Sequence, residues 1–255
     1  MNQIDSVSGM ILQSKKLVVF TGAGISTESG IPDFRSPGGI WDRFDPSELN
    51  FQSFMASEAG REKYWDFSKS LWLTVVNAEP NAGHYAIAEL HRLGRLDCVI
   101  TQNIDNLHQK SGVPEEKVIE LHGTLKWVIC LECRQRYPRE QIQLRLDSGV
   151  KAPRCDGCGG ITKPATISFG QPMPERETRE AEARAAACDL FLVAGSSLVV
   201  YPAAQMPLIA KSSGAKLIII NLTPTPHDRY ADIVVHENTS PVMSQIVERV
   251  KARLV

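Results

Sequence analysis

Residues Lys16 to Ser26 read Lys-Leu-Val-Val-Phe-Thr-Gly-Ala-Gly-Ile-Ser. Lys16 to Phe20 reads as a short strand, apolar at every position after Lys16 as strands buried on both faces are. Gly22 and Gly24 follow at once. Glycines at a strand end let the backbone approach a pyrophosphate, and amides at a helix N-terminus offer it donors. Helical sequence carrying Glu28 is expected next. The match to G-x-G-x-x-G is incomplete, because Thr27 stands where the third glycine would be. No acidic residue closes a second strand about 20 positions on, as it would in an NAD dehydrogenase. Asp33 and Asp42 lie in loop-like sequence instead. Taken alone, the stretch is equally a tight β–α turn.

The same strand pattern recurs at Leu96 to Thr101, Leu190 to Ala194, Lys216 to Asn221 and, more briefly, Ala231 to Val235. Helical patterns separate these runs at Gly83 to Leu93, Glu175 to Cys188, Pro202 to Ser213 and Pro241 to Leu254. Strands alternating with helices predict an α/β fold, a Rossmann-like doubly wound parallel sheet. Two stretches break the rhythm: a helical insertion rich in aromatics, and a turn-rich stretch with four cysteines. The expected organisation is a large dinucleotide-binding domain of residues 1–38, 80–124 and 164–255. Residues 39–79 and 125–163 would form a small domain beside it.

The composition fits this division. The chain has 255 residues, 43% hydrophobic and 22% charged. That length allows one large domain with a small companion. Formal charge is −1, from 28 basic and 29 acidic residues, so a broadly basic nucleic-acid binder is not expected. No run reaches the ~18 apolar residues of a membrane span; Gly195, Ser196, Ser197 and Pro202 interrupt the longest candidate. The N-terminus carries Asp5 where a signal peptide would be basic. A cytoplasmic protein with reduced thiols is expected, its oligomeric state left open.

Cys130-Leu131-Glu132-Cys133 and Cys155-Asp156-Gly157-Cys158 are two CxxC pairs separated by 21 residues. Two such knuckles facing each other complete a tetrahedral S4 site for Zn, with Gly157 and Gly159 relieving strain in the second. Four thiolates leave no position for water, so the metal would be structural. Cys98 and Cys188 stand alone and read as small core residues.

Thr101-Gln102-Asn103-Ile104-Asp105-Asn106-Leu107-His108 follows the second strand. Ligands of open α/β sheets bind at the carboxyl ends of strands, so Gln102, Asn103 and Asp105 would project into such a site. Glu120-Leu121-His122-Gly123 closes another short apolar stretch. A histidine there can act as a general base, since its ordinary pKa lies near neutrality. One such histidine is more often structural, so these residues inform only as a set.

The set resembles the sirtuin (Sir2) family of NAD-dependent protein deacylases, bacterial type. Gly22-Ala23-Gly24-Ile25-Ser26, Ile31-Pro32-Asp33-Phe34-Arg35, the stretch from Thr101 to His108, and Leu121-His122-Gly123 match its motifs in order. The knuckles follow, then Phe169-Gly170, Gly195-Ser196-Ser197-Leu198 and Asn221-Leu222. The resemblance implies that Gly22, Ala23, Gly24 and Ser26 hold the NAD pyrophosphate, opposite Gly195, Ser196 and Ser197. Asn221, Leu222 and Thr239 would face the adenosine half. Asp33, Phe34 and Arg35 would belong to a mobile cofactor loop. Gln102, Asn103, Ile104 and Asp105 would line the nicotinamide pocket, with Asn103 and Asp105 taking part in catalysis. His122 would be the general base, and Phe169 and Gly170 would pair with an acyl-lysine peptide. The reaction implied consumes NAD and releases nicotinamide, O-acyl-ADP-ribose and free lysine. Gln171 and Ser196 depart from the family's usual Glu and Thr. Family members that prefer succinyl-type chains carry a Tyr-x-x-Arg pair where this chain has Ser68 and Leu71, so an acetyl or neutral aliphatic acyl group is expected.

Overall fold

The computed structural model describes residues 2–34, 37–42, 44, 45 and 47–254, with Trp41 described by its backbone alone. Among these residues six strands form one parallel sheet: β1 (Leu17–Thr21), β2 (Leu96–Thr101), β3 (Val118–Glu120), β7 (Leu190–Ala194), β8 (Lys216–Ile220) and β9 (Ile233–Val235). Their order is β3-β2-β1-β7-β8-β9. In the sheet's own chain order this is 3-2-1-4-5-6, the Rossmann arrangement, and it reverses between β1 and β7. Strands and boundaries follow the sequence reading within a residue or two.

Side chains of successive strand residues point to opposite faces, and each face has its own core. Leu17, Val19, Val99, Leu192 and Ile218 pack on one side with α1 (Gln3–Gln13), α4 (Ala82–Arg92) and α9 (Thr239–Ala252). Val18, Phe20, Ile100, Phe191 and Ile219 pack on the other, against Ala181 and Ala185 of α7 (Glu175–Ala187) and Ala210 of α8 (Met206–Ser212). Burial on both faces is why β1 and β7 are apolar at nearly every position. Helix α1 has no counterpart in the sequence reading, because Ser6, Ser8 and Gly9 dilute its apolar face. The Asn2 side chain caps it and Ile4, Val7 and Ile11 bury. The expected helix from Pro202 begins later, at Met206, after a 3-10 turn.

One expectation is corrected at the glycine loop. Two 3-10 turns, Ala23–Ile25 and Thr27–Ser29, follow β1 in place of an α-helix. Gly30 then turns the chain at φ +83. The loop therefore has no α-helix dipole behind it, and the Gly24, Ile25 and Ser26 amides donate within the chain.

A second, antiparallel sheet has the order β5-β4-β6, built from β4 (Gly123–Cys130), β5 (Arg136–Pro138) and β6 (Thr162–Thr166). Its core joins Val128, Tyr137, Ile142 and Cys155 to Leu49, Phe54, Tyr64 and Trp65. Phe54 belongs to α2 (Phe51–Ala56), Tyr64 and Trp65 to α3 (Glu58–Val76), and Ile142 to α6 (Arg139–Asp147). The two irregular stretches thus share one interior. No helix among the described residues is long and apolar enough to cross a membrane.

Candidate functional site

The reversal point of the parallel sheet opens into a cleft of about 860 Å³, within the usual range of ligand pockets. The loops after β1 and β7 meet at its floor, where Gly24 N donates to Gly195 O at 2.9 Å. The contact leaves no room for side chains. A Cβ on Gly22 would lie 2.9 Å from Ser196 Cβ, and one on Gly24 would lie 2.9 Å from Gly195 O. Gly195 itself has φ +69. Ala23, Ser26, Ser196 and Ser197 line the same floor, and Asn221, Leu222 and Thr239 carry it past β8. The glycines let the two loops touch backbone to backbone at this floor, the close approach that a pyrophosphate-binding turn requires. Asp33 and Phe34 stand on the cleft's other rim. Arg35 lies outside the described residues.

The stretch after β2 is a buried polar network. Ser26 Oγ donates to Asp105 Oδ2 at 2.7 Å, and Leu107 N donates to Oδ1 at 2.9 Å. Asn103 Nδ2 donates to Gly22 O at 3.1 Å and to Ser26 Oγ at 3.0 Å. Asn106 allows the tight turn by adopting φ +63. Burial pushes the Asp105 carboxyl above the ordinary carboxylate range, against the pull of its Leu107 and Ser26 bonds. Gln102 Nε2 donates to Ser196 Oγ at 2.8 Å, tying this stretch to the β7 loop. Ile104 lines the cleft beside it.

His122 sits between β3 and β4, half-buried at the cleft wall. Its Nδ1 is 3.0 Å from the Gln102 carbonyl. A carbonyl only accepts, so Nδ1 carries the proton and Nε2 keeps its lone pair. Burial lowers the imidazole pKa, while the bond to Gln102 pulls the other way. A neutral ring with a free Nε2 is what a general base requires.

Phe169 and Gly170 follow β6 and line the cleft opposite. Their carbonyls are engaged within the chain. Phe51 N donates to Phe169 O at 2.9 Å, and Gln52 Nε2 to Gly170 O at 3.1 Å.

Away from the cleft, the Sγ atoms of Cys130, Cys133, Cys155 and Cys158 all lie within 4.8 Å of one another. Two of the pairs are 3.6 Å apart. A tetrahedral Zn with Zn–S of about 2.3 Å places its sulfurs about 3.8 Å apart, so the four thiols fit the ion. Gly159 takes φ +73 in the second knuckle, while Gly157 needs no such conformation. Tyr137 OH accepts from Asp156 N at 3.0 Å and lies 3.2 Å from Cys155 Sγ, a donor that orients a ligand. Cys98 and Cys188 are core residues whose thiols burial pushes up to about 12.

A model of the Sir2 family matches residues 22–202, more than half of the chain. The chain belongs to the Sir2 family. NAD-dependent protein deacetylase 1 of Bradyrhizobium diazoefficiens is 48% identical over 244 residues, 96% of this chain and 95% of that one. NAD-dependent protein deacylase 2 of Archaeoglobus fulgidus is 44% identical over 251 residues, 98% of this chain and 97% of that one. Among solved structures, a Sir2 enzyme with a p53 peptide and NAD+ superimposes with TM-score 0.90 at 35% identity, each chain covered completely. The Sir2 enzyme Sir2Tm bound to a propionylated peptide gives TM-score 0.89 at 34% identity, covering 100% of both chains.

The Sir2 cleft also holds residues that the sequence reading does not single out. His84 and His108 are buried with their ring centroids 5.1 Å apart and their planes tilted by 60°. His108 Nε2 is 2.9 Å from Thr21 Oγ1, and His84 Nε2 is 3.5 Å from Ser26 Oγ. Burial lowers His84 to about 4 and His108 well below its ordinary value, so both are neutral. Asn81 caps α4 and donates to His84 Nδ1, a capping box visible as Asn-Ala-Gly-His. Val200, Tyr201 and Thr223 line the cleft as well, but loop residues of ordinary type carry no sequence signal.

Proposed function

We propose that this chain is an NAD-dependent protein-lysine deacylase that releases nicotinamide, O-acyl-ADP-ribose and free lysine. The observation that carries this reading is His122. Its ring is held by Gln102 O with Nε2 free, in the same cleft as a glycine cradle built for a pyrophosphate. The named relatives and the peptide-bearing neighbours support it.

Gly22, Ala23, Gly24, Ser26, Gly195, Ser196 and Ser197 hold the pyrophosphate of NAD. Asn221, Leu222 and Thr239 face the adenosine half. We assign Asp33, Phe34 and Arg35 to the cofactor loop, with Phe34 shielding the reacting ribose from water. Gln102, Asn103, Ile104 and Asp105 line the nicotinamide pocket, where Asp105 grips the carboxamide. The acyl oxygen of the substrate displaces nicotinamide from the ribose. His122 Nε2 takes a proton through the ribose hydroxyls, so that the 2′-oxygen attacks the acyl carbon. Water then frees the lysine. Phe169 and Gly170 align the peptide by backbone pairing.

Residues 1–38, 80–124 and 164–255 form the NAD-binding domain, and residues 39–79 and 125–163 form the small domain. The shared core of the two irregular stretches supports that division. One structural Zn is held by Cys130, Cys133, Cys155 and Cys158. A thiolate site of this kind suits a reducing compartment, and we place the protein in the cytoplasm. Its macromolecular partner is the acyl-lysine protein itself.

The test is His122→Ala with an acetyl-lysine peptide, following nicotinamide and free lysine. Peptide turnover falls ~10²–10⁴-fold while NAD still binds. Full turnover by this variant would overturn the reading.

A further inference from the structure

Lysine is among the residues least often fully buried, and when buried it is normally paired. Lys163 on β6 is only 1% exposed. Its ammonium is held by a carbonyl and an aromatic face rather than by a carboxylate. Lys163 Nζ donates to Thr166 O at 2.6 Å and stands 5.1 Å from the centre of the Tyr64 ring. Such a cation–π contact strengthens when it is desolvated.

Tyr64 is buried as well, and it lines the cleft from α3. Its hydroxyl accepts from Ser168 Oγ at 3.0 Å and lies 3.4 Å from Thr166 Oγ1. Burial alone would push the phenol up, but the Lys163 charge and the two hydroxyls outweigh it and the net shift is downward. On the opposite side, Ile167 N donates to His122 O at 2.8 Å. The chain leaving β6 is therefore clamped at Thr166 by Lys163, at Ser168 by Tyr64 and at Ile167 by the His122 backbone. Phe169 and Gly170 come next.

We propose that Lys163 is a positioning residue for the acyl-lysine peptide: through Thr166 and Tyr64 it fixes the Phe169–Gly170 edge against which the substrate backbone pairs. The inference rests on the peptide-pairing role given above to that edge. A buried ammonium is an expensive way to hold a strand end, and here it holds the one that borders the cleft. The His122 ring is fixed separately by Gln102 O, so loosening the edge disturbs binding of peptide more than chemistry.

Lys163→Met keeps the unbranched stem, one atom shorter, and removes its charge and donors. Steady-state kinetics with an acetyl-lysine peptide and NAD resolve the effect. Losing a charged hydrogen bond at this edge raises the peptide KM about tenfold. The KM for NAD and kcat stay within about twofold, because neither depends on the edge. Tyr64→Phe, which keeps the packed ring, raises the peptide KM about threefold, and the double variant is no worse than Lys163→Met, since both act through one segment. An unchanged peptide KM in Lys163→Met, or a parallel change in all three parameters, overturns the inference. Should Lys163→Met not fold, an unchanged peptide KM in Tyr64→Phe overturns it. Wild-type turnover with insensitive variants removes this inference alone; a wild-type chain without turnover removes the deacylase reading with it.

Discussion

Gly195→Ala tests the contact at the base of the cleft. At φ +69 Gly195 has a left-handed backbone, which costs a residue with a Cβ about 1–2 kcal/mol. The added Cβ would also stand 2.4 Å from Ile25 N and 2.7 Å from Gly24 C, against 3.4 Å for ordinary contact. These are backbone atoms, so no side chain can swing aside. Crowding of this kind typically costs a further ~1–3 kcal/mol. Relief requires the β1 loop to retreat by about 1 Å, which breaks the bond from Gly24 N to Gly195 O. A misplacement of that size in a positioned site costs up to ~10²-fold. The expected result is a Tm lower by roughly 5–15 °C and an NAD affinity, by calorimetry, weaker by about 10–100-fold. Gly94→Ala is the matched control. Gly94 has φ +67 but nothing within 4 Å of its added Cβ, so it isolates the backbone cost. It loses stability and keeps NAD affinity. Equal NAD affinities for Gly195→Ala and the wild type would refute the argument that the two loops form a cradle by touching.

Three further outcomes are expected. Burial lowers the His122 pKa, and the base acts deprotonated, so the acid limb of kcat/KM for the peptide should fall below the ordinary value near 6.5; a limb above it contradicts the assignment. Chelation of Zn should destabilise the β4–β6 sheet, lowering Tm and releasing one equivalent of metal to a colorimetric chelator, because the knuckles border the core of Val128 and Tyr137. Acetyl-lysine peptides should turn over at least about tenfold faster than succinyl-lysine peptides, since a desolvated carboxylate without a partner is costly; comparable rates would show that the wall at Tyr64, Ser68 and Leu71 does not select against charge.

The parallel sheet was legible because strands buried on both faces must be apolar at every position, as Leu17 to Phe20 and Leu190 to Ala194 are. The four cysteines were legible because metal ligation demands one residue type at fixed spacing. Strands β4 and β6 were not. Lys126 is exposed and Lys163 is buried under Tyr64, so neither strand has an apolar pattern to read. The turn after Gly24 is not legible, because Ile25, Ser26 and Thr27 carry no strong preference and the contact with Gly195 that shapes them is remote in sequence. His84 carries no sequence signal for a similar reason: its partner Ser26 lies 58 positions away. Gln52 was invisible as a contact of Gly170, because a short helix in an aromatic-rich stretch gives no hint of what it faces.

The core behind the thiolates has a consequence for the order of assembly. Its two halves, Leu49 to Trp65 and Val128 to Cys155, are more than 60 residues apart along the chain, with β2 and β3 between them. Closing a loop of that length is entropically costly and slows formation of the contacts that depend on it. The knuckles themselves are only 21 residues apart. The thiolates can therefore gather early, as a local event, whereas the wall formed by Tyr64 against them waits until the parallel sheet has drawn its neighbours together. Acyl-lysine recognition is then among the last properties the chain acquires as it folds.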